Sequence, residues 1–334
     1  MLQIVVIGYK NHAERVINIL CEMPSVKSVI VYYPDSTKTR VLADGAHFKI
    51  KYTSVWDNLM DSDAFFICSP SETHIDYILK ILDFVSKNNS FPYIYCEKPP
   101  GISKKDLQWL KSMKLKLHNN LYFGFNYRFS SLYMHLKKTI ESRKLGAPIY
   151  ANFTASHGLA FKKGMAKNWR FSDPSVFSKI TGNLGIHYVD MCLGLFGSIK
   201  NISITEQNVA KNSQPDTAII RLFFESGIIC NIFLSYATIF SQSTDVFFTN
   251  GLLKENNGMV DIFYPRDTFN ALNEFCLPKA INLENNFEFK NSEFGLKESI
   301  YYFVSKVEKG SFLNKKEFDQ SIKATEVFLG FSFK

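Results

Sequence analysis

The chain has 334 residues, of which 39 are basic and 31 acidic; a net charge of +8 is far too dilute for a charge-driven disordered chain, and 46% of the residues are apolar. At about 150 residues per domain this length predicts two domains, each able to bury a core, and it excludes collagen-like, mucin-like and small disulfide-stapled architectures. The longest apolar runs, 64–68 and 228–234, fall well short of the roughly 20 residues a membrane-spanning helix needs, and the N-terminus reads as a buried strand rather than a signal peptide, so a cytoplasmic protein without a membrane partner is expected.

The first third alternates β-branched runs with helical periodicity. Strands are predicted at 3–7, 28–32 and 64–68, followed by helices at 13–22, 37–44 and 73–87. A further strand at 93–96 runs into Glu97-Lys98-Pro99-Pro100-Gly101; Ser103 then caps a helix through Met113, and a last strand covers 121–125, taken as the sixth. Repeated βαβ units of this size predict a Rossmann-type, doubly wound parallel sheet over residues 1–123.

Past Arg128 the pattern changes. A helix near 132–144 precedes alternating segments at 149–156, 199–207, 216–224, 228–235 and 244–249, joined by tight turns such as Glu225-Ser226-Gly227 as antiparallel strands are. A helical insertion at 185–195 interrupts them, and helices at 295–308 and 316–329 close the chain. Residues 124–334 are therefore expected to form an α+β domain with a large, open, mainly antiparallel sheet, giving an α/β fold class for the whole. The six cysteines show no CxxC pair and read as buried free thiols. Lysines are scattered among acids rather than gathered in one arm, which argues against a nucleic-acid partner.

Four segments could carry chemistry. Gly8 follows the first strand, where a dinucleotide-binding chain turns so that backbone amides and a helix N-terminus face a pyrophosphate. Of the GxGxxG spacing only the first glycine survives, with Lys10 and Ala13 at the other two places and Asn11 and His12 between them; an ordinary βα turn without ligand fits the same segment. Tyr33 stands where an acid normally receives ribose hydroxyls, so NAD and NADP are not separated there. The turn Ser69-Pro70-Ser71-Glu72-Thr73-His74 ends a buried strand, which puts Ser69, Pro70 and His74 beside a cofactor cleft, with helix capping as the plainer role of Ser71 or Thr73. Glu97-Lys98-Pro99 ends another strand, and the proline aims the Lys98 ammonium into the same crevice.

These segments, with Gly124-Phe125-Asn126-Tyr127-Arg128-Phe129, Trp169-Arg170, Gly185-Ile186-His187-Tyr188-Val189-Asp190 and Asp216-Thr217-Ala218, stand in an order and spacing that resemble the Gfo/Idh/MocA family of NAD(P)-dependent enzymes acting on sugars and cyclitols. The resemblance implies a catalytic pair, Lys98 and His187, and a nicotinamide dinucleotide, NAD slightly preferred over NADP. It implies cofactor contacts at Gly8, Lys10, Asn11, His12, Tyr33, Ser69, Pro70, His74 and Glu97.

Imidazole can accept the hydroxyl proton, and an ammonium can stabilise the charge that develops on oxygen. Four residues before His187, most relatives have Asp where this chain has Asn183, which can orient a hydroxyl but cannot take its proton. In that family Asn here is similar to a branch acting on C3 of nucleotide-linked sugars. Substrate contacts are expected at Asn126, Arg128, Trp169 and Arg170, with surface ion pairs as the plainer role of the two arginines. Asp190 reads as a hydrogen-bonding partner, and no metal is expected.

The expected function is thus hydride transfer between NAD or NADP and a secondary hydroxyl or ketone of a sugar or nucleotide-sugar, by a homodimer or homotetramer. The alternative is a catalytically silent family member that binds a ligand or regulates a partner; its support is the depleted glycine motif, the missing acid at Tyr33, and Asn183.

Overall fold

The computed structural model describes residues 1–37, 47–59, 61–88, 92–113, 119–165, 168–282 and 295–330. The helix expected at 37–44 falls almost entirely outside them. Two compact units form, Met1–Asn126 with Leu296–Glu326, and Tyr127–Gly295 with Val327–Lys334. The first junction lies close to the expected 123/124 boundary, whereas most of the last two helices joins the first unit rather than the second.

In the first unit, strands β1 (Leu2–Ile7), β2 (Val26–Tyr32), β3 (Ile50–Thr53), β4 (Ala64–Ile67), β5 (Tyr93–Glu97) and β6 (Leu121–Gly124) form one parallel sheet in the order β3-β2-β1-β4-β5-β6. The order reverses between β1 and β4, the place where such sheets open a crevice at their carboxyl ends. Burial of Ile4, Val5, Val6 and Ile7 alike explains why β1 reads as an unbroken apolar run rather than an alternating one. The third strand, β3, was not named from sequence; it is short, with Lys51 exposed, a common form for a sheet edge.

Helix α1 (His12–Glu22) buries Ala13, Val16, Ile17 and Leu20, the spacing of one helical face. α2 (His74–Asn88) and α3 (Lys104–Ser112) follow β4 and β5, and α3 begins at the expected Ser103 with a reciprocal capping box to Asp106. Helix α7 (Leu296–Glu308) presses Phe303 against Phe66, Tyr93 and Tyr95, while its Ser299 hydroxyl bonds the Tyr95 and Tyr122 phenols. The aromatic face of β4, β5 and β6 needs that cover, which is why the chain returns to its first unit.

In the second unit, α4 (Ser131–Ser142), the short α5 (Trp169–Ser172) and α6 (Ile186–Phe196) accompany a second sheet. Its strands are β7 (Pro148–Ser156), β8 (Ile199–Gln207), β9 (Thr217–Phe224), β10 (Ile229–Ser235), β11 (Ser241–Phe248), β12 (Gly251–Asn256), β13 (Met259–Phe263) and β14 (Ile281–Asn282), ordered β14-β13-β12-β11-β7-β10-β9-β8. β12 to β14 were not anticipated. Pairing is antiparallel throughout except between β10 and β7, which run parallel with Ser235 opposite Ser156. Inward residues alternate as expected: Ala151, Phe153 and Ala155 on β7, and Cys230, Ile232 and Leu234 on β10. The cysteines are free thiols; Cys96, Cys192 and Cys230 are buried as read from sequence, but Cys276 is exposed because its segment never enters a sheet core.

Candidate active site

The first unit gathers its sequence motifs at the carboxyl ends of β1, β4 and β5. Gly8 has φ +113°, and a Cβ there would lie 3.0 Å from the carbonyl oxygen of Cys68, so the surviving glycine is the one that lets the first turn lie against the loop after β4. Asn11 occupies the N-cap position of α1 without a side-chain cap, which suits the first-turn amides to an anion. Lys10 is exposed, its ammonium 5.8 Å from the Tyr9 ring, and Tyr9 meets Tyr33 edge-on at 4.5 Å.

His12 Nε2 bonds Glu97 Oε1 at 2.7 Å, and Arg15 approaches His12 Nδ1 at 3.4 Å. Burial pushes the Glu97 carboxyl up, but the charge and hydrogen bond of His12, with Lys98 beside it, outweigh burial and hold it below the usual carboxylate value. The two expected cofactor contacts His12 and Glu97 therefore also clasp the first turn to the end of β5.

In the loop after β4, Thr73 Oγ1 donates to the Pro70 carbonyl and is hydrogen-bonded with Ser69 Oγ, both at 2.7 Å. His74 departs from the expected cofactor contact. It is 1% exposed, with Nδ1 2.9 Å from the Pro99 carbonyl and Nε2 3.0 Å from the Ser69 carbonyl. Burial lowers its pKa against the pull of those carbonyls. Both ring nitrogens are engaged by backbone, so His74 braces the β4 loop against Pro99, next to Lys98. Lys98 itself is half-buried at the end of β5 and joined to Pro99 by a cis peptide bond.

The second unit builds its site on a π-helical turn, Thr181–Gly185, that leads into α6. At Gly182 a Cβ would fall on the Val176 carbonyl oxygen, so this turn requires glycine. Asn183 Nδ2 donates to the Tyr236 phenol oxygen at 3.3 Å. Four residues on, His187 is half-buried and stacks on the Tyr127 ring at 4.5 Å. A spacing of four sets Asn183 and His187 on the same side of the helix entry.

Arg170 also hydrogen-bonds Tyr236, whose phenol is pushed up by burial, and the His157 ring stacks on Tyr236 at 4.9 Å. Burial, then the Arg170 charge, lower the His157 pKa. Trp169 is 47% exposed with the Arg170 guanidinium 4.6 Å from its ring, an aromatic face and a cation side by side.

Arg128 is a correction. Its guanidinium is buried and makes two bonds to Asp190, Nε to Oδ2 at 2.8 Å and Nη2 to Oδ1 at 2.5 Å. It is neither a surface ion pair nor a clamp reaching for substrate, and Asp190, read as a hydrogen-bonding partner, is that partner. Asn126, the last residue of the first unit's opening segment, starts the 3-10 turn Asn126–Phe129 and is half-buried.

Tyr236 and His157 were missed from sequence because nothing in the local pattern pairs β7 with β10, strands more than 70 positions apart in the chain. Their parallel register brings the residues just after both strands to one sheet end, with His157 N bonded to the Ser235 carbonyl at 2.9 Å.

A family model described as oxidoreductase family, NAD-binding Rossmann fold, matches residues 2–125, and one described as GFO/IDH/MocA C-terminal domain matches residues 133–254. The chain is 26% identical over 240 residues to the uncharacterized oxidoreductase YrbE of Bacillus subtilis, covering 67% of this chain and 65% of that protein. It is 32% identical over 146 residues to glucose-6-phosphate 3-dehydrogenase of the same organism, covering 42% and 39%. Both alignments thus span less than two thirds of the relative. The same fold occurs in an oxidoreductase from Agrobacterium radiobacter solved in complex with NAD+, L-tartaric acid and magnesium, with TM-score 0.73, 16% identity, and 98% and 94% of the two chains covered.

Proposed function

This chain belongs to the Gfo/Idh/MocA family of NAD-binding oxidoreductases, and from that premise we propose that it transfers a hydride between a nicotinamide dinucleotide and a secondary hydroxyl or ketone of a sugar or nucleotide-sugar. The observation that carries this reading is the Asn183–His187 pair on a glycine-dependent turn, set among Tyr236, Arg170 and Tyr127.

The first unit fits the dinucleotide. Gly8 sits where any Cβ would meet the Cys68 carbonyl, beside the reversal of strand order. Gly8, Lys10, Asn11 and His12 would hold the pyrophosphate, Tyr33 the adenosine side, and Ser69, Pro70 and Glu97 the nicotinamide side, with His74 as brace. When bound, the cofactor supplies the carbon that takes up or releases hydride. NAD remains ahead of NADP in this reading, supported by the NAD-binding family description.

In the oxidative direction the hydroxyl proton passes to a His187 ring nitrogen, an imidazole being suited to exchange protons near neutrality. Asn183 holds the hydroxyl by hydrogen bonding and takes no proton. The Lys98 ammonium stabilises the negative charge developing on oxygen. Trp169 and Arg170 offer a sugar ring an aromatic face and an anionic substituent a cation, and Asn126 adds a further substrate hydrogen bond.

Lys98→Met and His187→Ala should each lower kcat by at least about a hundredfold while NADH binding, followed by nucleotide fluorescence, persists. Unchanged turnover in either variant would overturn the mechanism. The same titration on the unaltered protein should show NADH binding more tightly than NADPH; binding of neither would point instead to a silent family member.

A further inference from the structure

On β12 the inward positions are Leu253 and Glu255, so alternation puts a carboxyl where the core expects an apolar side chain. Glu255 is 2% exposed. It lies opposite Thr244 of β11 and accepts hydrogen bonds from the Thr244 side chain and, at 2.8 Å, from the Gly258 amide in the turn to β13.

Asp245, next along β11 on the opposite face and paired there with Lys254 at 3.8 Å, adds its negative charge to burial in disfavouring ionisation, and Glu255 is pushed up to about 7. From α6 it faces Tyr188, whose own phenol is raised by burial, then by Tyr127 and Glu255. Glu255, Tyr188, Tyr127 and Thr244 together line a cavity of about 20 Å³, room for one water among polar partners.

From there the contacts lead outward. Tyr188 meets Tyr127 edge-on at 5.5 Å, Tyr127 stacks on His187 at 4.5 Å, and the Tyr127 phenol in turn feels Tyr236, which is bonded to Asn183. We infer that Glu255 is a positioning residue of the His187 site, a buried carboxyl acting through the small cavity and the Tyr188 and Tyr127 phenols on the protonation of His187. The inference rests on the reading of His187 as proton acceptor.

Protonated, Glu255 donates a hydrogen bond into the cavity. Ionised, it places a negative charge behind the Tyr127–His187 stack, in surroundings of low polarity where charge acts over distance. That charge favours the imidazolium, so the two groups titrate as a coupled pair and His187 keeps its proton to higher pH than it otherwise would.

The test compares the unaltered full-length protein with Glu255→Gln and Glu255→Leu; the latter continues the apolar alternation and preserves the fold should buried Gln not be tolerated. Carbon-13 labelling of the histidine rings, with the His187 signal assigned by its loss in His187→Asn, gives a titration that needs no turnover. Both variants should move the His187 midpoint, and the rising limb of the kcat–pH profile for alcohol oxidation, to lower pH by about half a unit or more, about a threefold rise in activity on that limb. A His187 titration unmoved in both variants overturns the inference. A titration that moves in a protein without dehydrogenase activity upholds the coupling and removes the proposed function alone.

Discussion

Arg128 and Asp190 are 62 positions apart and exchange two hydrogen bonds, with side chains 6% and 0% exposed. Two buried, desolvated charges bonded to one another make a pair whose single loss is costly. Arg128→Met should therefore destabilise the protein by about 3–5 kcal/mol in denaturant unfolding, and adding Asp190→Leu should recover most of that. A variant that keeps its stability and raises only KM would restore the arginine to the substrate.

Glu255 yields a pH dependence of opposite sign to the usual carboxylate. Its folded value of about 7 stands above the ordinary 4.5, so the stability it contributes is fully present below about pH 4.5 and lost as pH rises to about 7. The difference amounts to roughly 3 kcal/mol at the alkaline end. Glu255→Gln should gain stability over the unaltered protein between pH 5 and pH 8.5, read from unfolding free energies; a margin constant with pH would contradict this.

Among elements, the turn from β1 to α1 shows how little of a glycine motif is enough. Gly8 alone meets a backbone carbonyl at 3.0 Å with a positive φ, whereas the place held by Lys10 is exposed and has room for a long side chain. Gly8→Ala should cost about 1–2 kcal/mol of stability and weaken NADH binding at least about tenfold, measured by unfolding and fluorescence titration. Binding as tight as in the unaltered protein would show that the turn does not hold the pyrophosphate.

At the scale of the whole molecule, the second sheet buries one face and leaves Ile219, Ile229 and Phe247 exposed on the other. An apolar sheet face of this kind is the form that self-association takes. Sedimentation velocity should give a dimer or tetramer, weakened by Phe247→Lys; a monomer at micromolar concentration would contradict it. Among the described residues no helix is long and apolar enough to cross a membrane.

What the sequence by itself determined is what depends on neighbours along the chain. The near-continuous apolar run of β1, the 3.6-residue period of α1, the Ser103 cap and the motifs around Gly8, Lys98 and His187 are readable because their spacing is the geometry. Only the tertiary structure decided who meets whom. The parallel β7–β10 pair set His157 beside Tyr236, burial turned Arg128 toward Asp190, two distant carbonyls claimed His74, and Phe303 carried α7 back to the first sheet. Each of these depends on contacts between residues far apart in the chain, and a local pattern fixes which face a residue takes but not which distant group will satisfy it.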